Sequence, residues 1–361
     1  MSFLFVDGNL GVPQKVLYKF YMLAISPFAQ SYKKFKIDAK NRNSRLGSDP
    51  LISLSAVLLL ANPAHQSALN ARKRLVEADL IDPKHDLIFT ESLLTLRDAS
   101  KQSILWHHRR WLLRRIFQPL TLSPAALSDD DGNSLQQIAM PPDVLQHEFS
   151  VVSRACDTYH RNYYARAHGF FCLEALNAMT RTQTPDKRYS GLLQDEYQAT
   201  RTWIEQHVSD YTAVQYLRSV YDMLLQDISR RESVQEDVSK SELTFFVHAQ
   251  RLVEAYPDHE SLWLYLRAAA CILVHSGGDS GVSRTTISDI HAFARQFIQE
   301  RGKSAFGNGR CLSVANEGAV RNLAHRCIVW LDVQSGVCDL GSARARKIIA
   351  DNDSVLTPTE I

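Results

Sequence analysis

The densest run of potential chemistry in this 361-residue chain is KQSILWHHRRWLLRRIF, residues 101–117. It holds Lys101, His107, His108, Arg109, Arg110, Arg114 and Arg115. Such a segment could serve as a phosphate site, a basic targeting signal or a metal pair. Adjacent side chains on a helix point about 100° apart, however, so His107 and His108 do not readily chelate one ion. The reading that needs least is that Arg109 pairs with a buried acid of a neighbouring helix, the rest being a solvated or partner-facing surface. A second candidate is Asp129-Asp130-Asp131, an acid run of the kind that holds magnesium. It stands in a Pro-rich stretch without a second copy, and reads as a solvated acidic loop. The six cysteines (Cys156, Cys172, Cys271, Cys311, Cys327, Cys338) contain no CxxC pair and no zinc-site spacing. Their scatter suits reduced thiols better than a disulfide framework. With no metal constellation and no nucleophile–base pair, an enzyme complete in this chain is disfavoured.

The elements that must position these residues are helical. Gly and Pro number 15 and 12, about 4% and 3% of the chain against averages of about 7% and 5%. Few turn-formers argue against a many-stranded β fold and against a Gly-rich phosphate loop. Lys plus Arg total 41 and Asp plus Glu 39, so charge gives no general nucleic-acid signal. The longest apolar stretch, Leu51 to Ala61, is about half the roughly 20 residues of a membrane helix. The N-terminal MSFLFVDGNLG lacks a basic signal start, and the C-terminal SVLTPTEI has no prenylatable Cys. A cytoplasmic protein without a stable membrane anchor is the expectation.

One pattern recurs along the chain. A helix ends in a short polar link, and a second helix opens with an aromatic or apolar residue followed three or four positions later by Arg. Leu69 and Arg72 form one copy, and Trp106 and Arg109 the next, the two arginines 37 residues apart. A degenerate third copy has Asn162, Tyr163 and His168, with Arg166 and Gly169 in the Trp and Arg positions. Tyr216 and Arg218 mark a fourth copy, Trp263, Tyr265 and Arg267 a fifth, and Arg326 a weaker sixth. Such hairpins bury their apolar stripes only by stacking. The expected fold is all-α, an α-α superhelix or solenoid with a concave side. It would run over 51–335, with an insert loop at 118–143, an N-terminal extension over 1–50 and a tail over 336–361. Gly277 to Arg284 is expected to be a mobile turn.

NPAHQSALNARKRL, KQSILWHHRRWLL, RNYYARAH and HESLWLYLR together resemble the successive repeats of protein prenyltransferase α subunits. That family pairs its repeat with an acid some 15 to 20 positions earlier, and Glu91 and Glu148 stand in that slot. The resemblance covers about Leu51 to Val274. Trp survives only at Trp106 and Trp263, with Leu69, Arg166 and Val214 elsewhere, which makes the chain most similar to a divergent, geranylgeranyltransferase type III-like branch.

What the resemblance implies is an α subunit that pairs with a β subunit of the Rab geranylgeranyltransferase type. The β subunit would hold the zinc and the isoprenoid pocket, so this chain would carry no cofactor of its own. The isoprenoid diphosphate would be co-substrate and a protein ending in Cys, among them a SNARE, the acceptor. Lys101 falls where such α subunits place a Lys against the diphosphate, and is the implied catalytic residue. Arg161 and Tyr164 fall where further diphosphate contacts would lie. Trp106, His108, Arg109, Asn162, Tyr163, Trp263, Tyr265 and Arg267 are assigned to the partner interface or to structure. The second hypothesis is a helical-repeat scaffold without transferase activity. A basic, concave and open face around Lys101, Tyr163 and Tyr164 would favour the transferase, and a filled or acidic one the scaffold.

Overall fold

The computed structural model describes residues 4–6, 9–40, 48–117, 119, 134–182, 186–230, 235–276, 282–299 and 314–334. The acid run 129–131, Cys311, Cys338 and the C-terminal tail lie outside them. A two-stranded antiparallel hairpin, β1 (Leu4–Val6) and β2 (Asn9–Gly11), precedes fourteen helices among the described residues.

The helices group as the repeat pattern predicts. α1 (Gln14–Lys40) leads to the hairpins α2/α3 (Ser48–Ala61, Gln66–Glu77), α4/α6 (Pro83–Leu94, Ser103–Ile116) and α7/α8 (Pro142–Thr158, Tyr163–Thr180). One turn, α5 (Arg97–Ser100), joins α4 to α6. The next hairpins are α9/α10 (Lys187–Gln206, Tyr211–Arg230), α11/α12 (Gln235–Ala255, Glu260–Ser276) and α13/α14 (Val282–Gln299, Val314–Gln334). The chain divides into two compact units, 1–192 and 193–361. Within each unit successive hairpins stack, and this is the α-α solenoid arrangement.

Local sequence explains where these helices begin and end. Asp82 caps α4 by accepting from the Lys84 N–H at 3.0 Å, with Pro83 at the first helical position. His65 Nδ1 accepts from the Ala68 N–H at the start of α3, and Asn162 Oδ1 from the Ala165 N–H at the start of α8, both at 3.1 Å. α3 closes with Asp79 at φ 56° and a Leu80 N–H to Leu75 carbonyl bond of 2.9 Å, the 6→1 bond of a Schellman motif.

Three boundaries differ from the sequence expectation. Within the N-terminal extension, α1 buries Ala24, Phe28 and Phe35 while running against α2, which itself begins at Ser48 and not at 51. The insert ends earlier than expected: Leu135 and Met140 are fully buried, and Pro142 and Asp143 already belong to α7. Residues 282–284 open α13 rather than continuing a turn. No helix among the described residues is long and apolar enough to cross a membrane.

Candidate functional site: a ladder of buried charge and an exposed basic turn

Two arginines and two carboxylates organise the first unit. Arg72 on α3 donates through Nε to Asp86 Oδ1 of α4 at 2.6 Å, and through Nη1 to the Ile52 carbonyl and Ser55 Oγ of α2 at 3.3 and 3.2 Å. Arg109 on α6 repeats the scheme one hairpin later. It grips both Glu148 oxygens of α7 at 2.7 Å and reaches the Leu87 carbonyl and Thr90 Oγ1 of α4 at 3.0 and 3.3 Å. Each arginine therefore holds a carbonyl and a hydroxyl three residues apart on its own hairpin's first helix. Its charge then meets an acid on the first helix of the next hairpin.

A histidine completes each site. His108 Nε2 lies 2.8 Å from Asp86 Oδ2, and His168 Nε2 lies 2.9 Å from Glu148 Oε2. An ionised carboxylate only accepts, so each ring must present Nε2–H. Burial pushes His168 down from 6.5 to about 4, against the opposing pull of Glu148, so it is neutral at pH 7. Burial would raise the Glu148 carboxyl, but the Arg109 charge and the hydrogen bonds from His168 and Arg109 outweigh it and hold it near 2. Asp86 is lowered on the same balance by His108 and Arg72.

The ladder stops in the third hairpin for a visible reason. Gly169 stands where Arg109 stands, and Val152 where Thr90 stands, so the arginine and its hydroxyl partner are lost together. Arg109 thus pairs with a buried acid as expected. His108 and Arg110, expected on a solvated or partner-facing surface, are instead buried with it.

The acid assigned to the second hairpin is corrected. Glu91 is not the counterpart of Glu148: it is partly exposed, takes Arg154 and His147 at 2.5 and 2.7 Å, and stays 3.8 Å from Arg109. Asp86 fills that role. The Asp82–Pro83 start signal could have found it, since it opens α4 eight residues before Glu91 and so puts Asp86 on the helix. Arg218 of the fourth copy makes a 3.8 Å pair with Asp222 on its own helix.

Glu148, His168 and Cys172 offer ligand atoms within 4.8 Å of one another. They do not fit a metal ion. Both Glu148 oxygens are taken by Arg109, whose fixed charge would sit against any cation. The cluster is a structural element of the core.

Trp106 and Trp263 play one role in two hairpins. Each is buried, and each indole N–H donates to the carbonyl six residues earlier, in the linking turn: Trp106 to Ser100 at 2.8 Å and Trp263 to Pro257 at 2.7 Å. Trp106→Phe keeps most of the ring but loses this bond, and is expected to cost about 1–2 kcal/mol. A urea midpoint unchanged from wild type would contradict it. Tyr265 is buried and its hydroxyl meets His248 Nδ1 at 2.9 Å. Arg267, also buried, bonds the Cys327 thiol of α14, and its Nε and Nη1 have no partner among the described residues. Both are core residues.

The Ser100 carbonyl has a second donor, Asn162 Nδ2, at 2.9 Å. This bond joins the linking turn of the second hairpin to that of the third. It therefore brings the neighbours of Ser100 and Asn162, namely Lys101, Arg161, Tyr163 and Tyr164, to one end of the stacked hairpins. Lys101 is exposed and paired with Asp98 at 2.8 Å. Its Nζ is 5.9 Å from the Tyr159 ring centre, and Arg97 lies 5.8 Å from the same ring. Tyr163 and Tyr164 are exposed, with ring centres 5.6 Å apart. Arg161 is exposed at φ 57°, a conformation costing about 1 kcal/mol for a non-Gly residue. Arg97 and Tyr159 were missed by the sequence reading, because only the meeting of two turns makes them neighbours. This end is basic and open, and the two cavities described, of 560 and 270 Å³, are lined by other residues.

Stacked two-helix hairpins joined by arginine–acid contacts from one repeat to the next define a helical-repeat protein. The family model for the protein prenyltransferase alpha subunit repeat matches residues 193–224, most of α9 and most of α10. Protein prenyltransferase alpha subunit repeat-containing protein 1 of Danio rerio is 27% identical over 252 residues, 63% of this chain and 56% of that protein. The Homo sapiens protein of the same name is 26% identical over 272 residues, 68% of this chain and 64% of that protein. Repeat-containing protein 1-A of Xenopus laevis is 27% identical over 249 residues, 62% and 55% of the two chains. The chain is thus similar to the protein prenyltransferase alpha subunit repeat-containing proteins, and one of its hairpins matches that repeat. It spans little more than half the length of the first curated relatives it matches.

Proposed function

We propose that this protein is the α subunit of a heterodimeric protein prenyltransferase of the geranylgeranyltransferase kind. Its partner would be a zinc-binding β subunit of the Rab geranylgeranyltransferase type, and the pair would act in the cytoplasm. The observation that supports this reading is the Asn162–Ser100 bond, which joins the turn that carries Lys101 to the turn that carries Arg161 and Tyr164. Prenyl transfer builds negative charge on the departing diphosphate, and fixed cations aimed at that charge lower the barrier. Lys101 would leave Asp98, its exposed partner, for the diphosphate. Arg161 would add a second cation, and Tyr164 a hydroxyl donor. The metal that lowers the thiol pKa would come with the β subunit, and the thiol with an acceptor ending in Cys, a SNARE among the candidates.

Lys101→Ala is expected to slow geranylgeranyl transfer by the reconstituted heterodimer by about tenfold or more while leaving assembly intact. An unchanged rate in an intact complex removes Lys101 from the mechanism. The second reading, a repeat scaffold without transferase activity, is favoured by one observation: Lys101 is already held by Asp98, outside both cavities. Failure to form a stoichiometric complex with any β subunit would select it.

A further inference from the structure

The face of α1 turned away from α2 has a composition that neither the repeat nor the prenyl-transfer reading uses. From Gln14 to Ile37 the helix contains five lysines and no acid, the first acid being Asp38. At 100° per residue, Lys15, Met22, Leu23, Lys33, Lys34 and Ile37 all fall within about 60° of Lys19. Ala24, Phe28 and Phe35 lie on the opposite side and are buried. The outer face is therefore a mixture of cations and apolar groups. Leu23 is 73% exposed, Met22 53% and Ile37 51%, with Tyr18 at 63% on the flank.

The cations and the apolar groups point to the same kind of surface. A soluble helix normally sheds Leu and Met from its water-facing side, and this one retains them between lysines whose long stems can lie along an apolar layer. Towards its C-terminal half the face borders the groove against α3, lined by Lys33, Lys36, Arg74, Phe35, Ile37 and a single acid, Glu77. Lys36 and Arg74 sit over the Tyr32 ring at 4.2 and 5.7 Å, which holds their charge beside that groove. An acid-free face about 35 Å long, carrying lysines and exposed apolar side chains, matches an anionic lipid layer in charge and in polarity. Lysines would meet lipid phosphates and carboxylates while Met22, Leu23 and Tyr18 enter the headgroup–acyl boundary.

We propose that α1 docks this protein, reversibly and in the plane of the surface, on membranes rich in anionic phospholipid. The inference is independent of the transferase reading, since it uses none of the residues at the Lys101 end.

The test is flotation of the full-length chain with phosphatidylcholine vesicles, with and without phosphatidylserine. Recruitment is expected only with phosphatidylserine and is expected to weaken as salt rises. Lys33→Glu with Lys34→Glu should weaken it at least about tenfold, and Met22→Ser with Leu23→Ser should weaken it several-fold. Lys187→Glu with Arg188→Glu on α9 makes the same change in net charge away from this face, and should leave recruitment near wild type. No recruitment, equal recruitment by neutral vesicles, or equal loss in the α9 control would overturn the proposal. A loss of β-subunit assembly in the α1 variants, without any vesicle effect, would assign the face to a protein partner and also overturn it.

Discussion

Glu148→Ala is expected to destabilise the first unit by about 3–5 kcal/mol, among the largest effects open to a single substitution in this chain. Glu148 is fully buried, as is Arg109, and Arg109 spends two of its donors on it. Removing the carboxylate leaves a guanidinium in the core with only the Leu87 carbonyl, Thr90 and the distant Glu91 to answer it. The cost comes from the stranded charge and not from the attraction lost, so the matched double replacement Glu148→Leu with Arg109→Met should recover most of the stability. Trp106 and Trp111 lie in the first unit beside this cluster, so their fluorescence in a urea titration reads the loss. A penalty under about 1 kcal/mol, the value of an exposed pair, would mean that the cluster does not hold the repeats together.

The contrast between the two units gives that prediction its wider sense. In the first unit the third residue after the Trp position is Arg72 or Arg109, and both reach into the next hairpin. In the second unit the corresponding residues, Leu217 after Val214 and Leu266 after Trp263, are apolar and fully buried. One slot is thus filled in two ways, by an ion pair that fixes register and by hydrocarbon that simply fills space. Well-packed apolar replacement of buried ion pairs often costs nothing in stability. In both hairpins the next residue is an arginine, but the two differ: Arg267 is buried and bonds the Cys327 thiol of α14, whereas Arg218 pairs with Asp222 on its own helix.

The same slot shows why some of this was legible in sequence and some was not. Hairpin order, the Trp106–Arg109 pair and the capping turns at His65 and Asn162 follow from local spacing and side-chain type, which a single chain displays directly. The identity of Arg109's partner does not, because Glu148 lies 39 residues away and Glu91 competes for it on composition alone. Only the phase of α4, set by Asp82 and Pro83, decides that Asp86 faces inward and Glu91 outward. The turn cluster follows the same logic. Lys101 is named by its place in the repeat and Arg97 stands one turn before it, whereas Tyr159 meets both only where the third hairpin's turn packs against theirs, the place at which Asn162 crosses to Ser100. The outer face of α1 lay outside the repeat pattern, so nothing in the repeat spoke for it.

Acidification should unfold the first unit in two overlapping stages. His168 sits at about 4 in the folded chain against 6.5 when free, so unfolding takes up a proton between those values and stability falls as pH drops through them. Glu148 sits near 2 against 4.5, so its contribution is complete above pH 4.5 and is lost as pH falls towards 2. His107, half-buried and pushed down to about 4 by burial and then by Lys73, acts in the same direction as His168. Glu148 and His168 share one buried cluster and titrate as a unit, so their loss is best given as a sum, on the order of 5–7 kcal/mol between pH 6.5 and 2. The slope should be flat from pH 7 to 8 and steepen below 6.5, an inversion of what a histidine stabilised as a cation would give. His168→Gln keeps an N–H donor for Glu148 and cannot take up the proton, so it should reduce the upper stage to the share of the remaining histidines and leave the lower one. Urea midpoints measured by tryptophan fluorescence across this range decide the matter. Equal stability at pH 7 and pH 4.5, or an unaltered upper stage in His168→Gln, would show that the imidazole is not held neutral against Glu148.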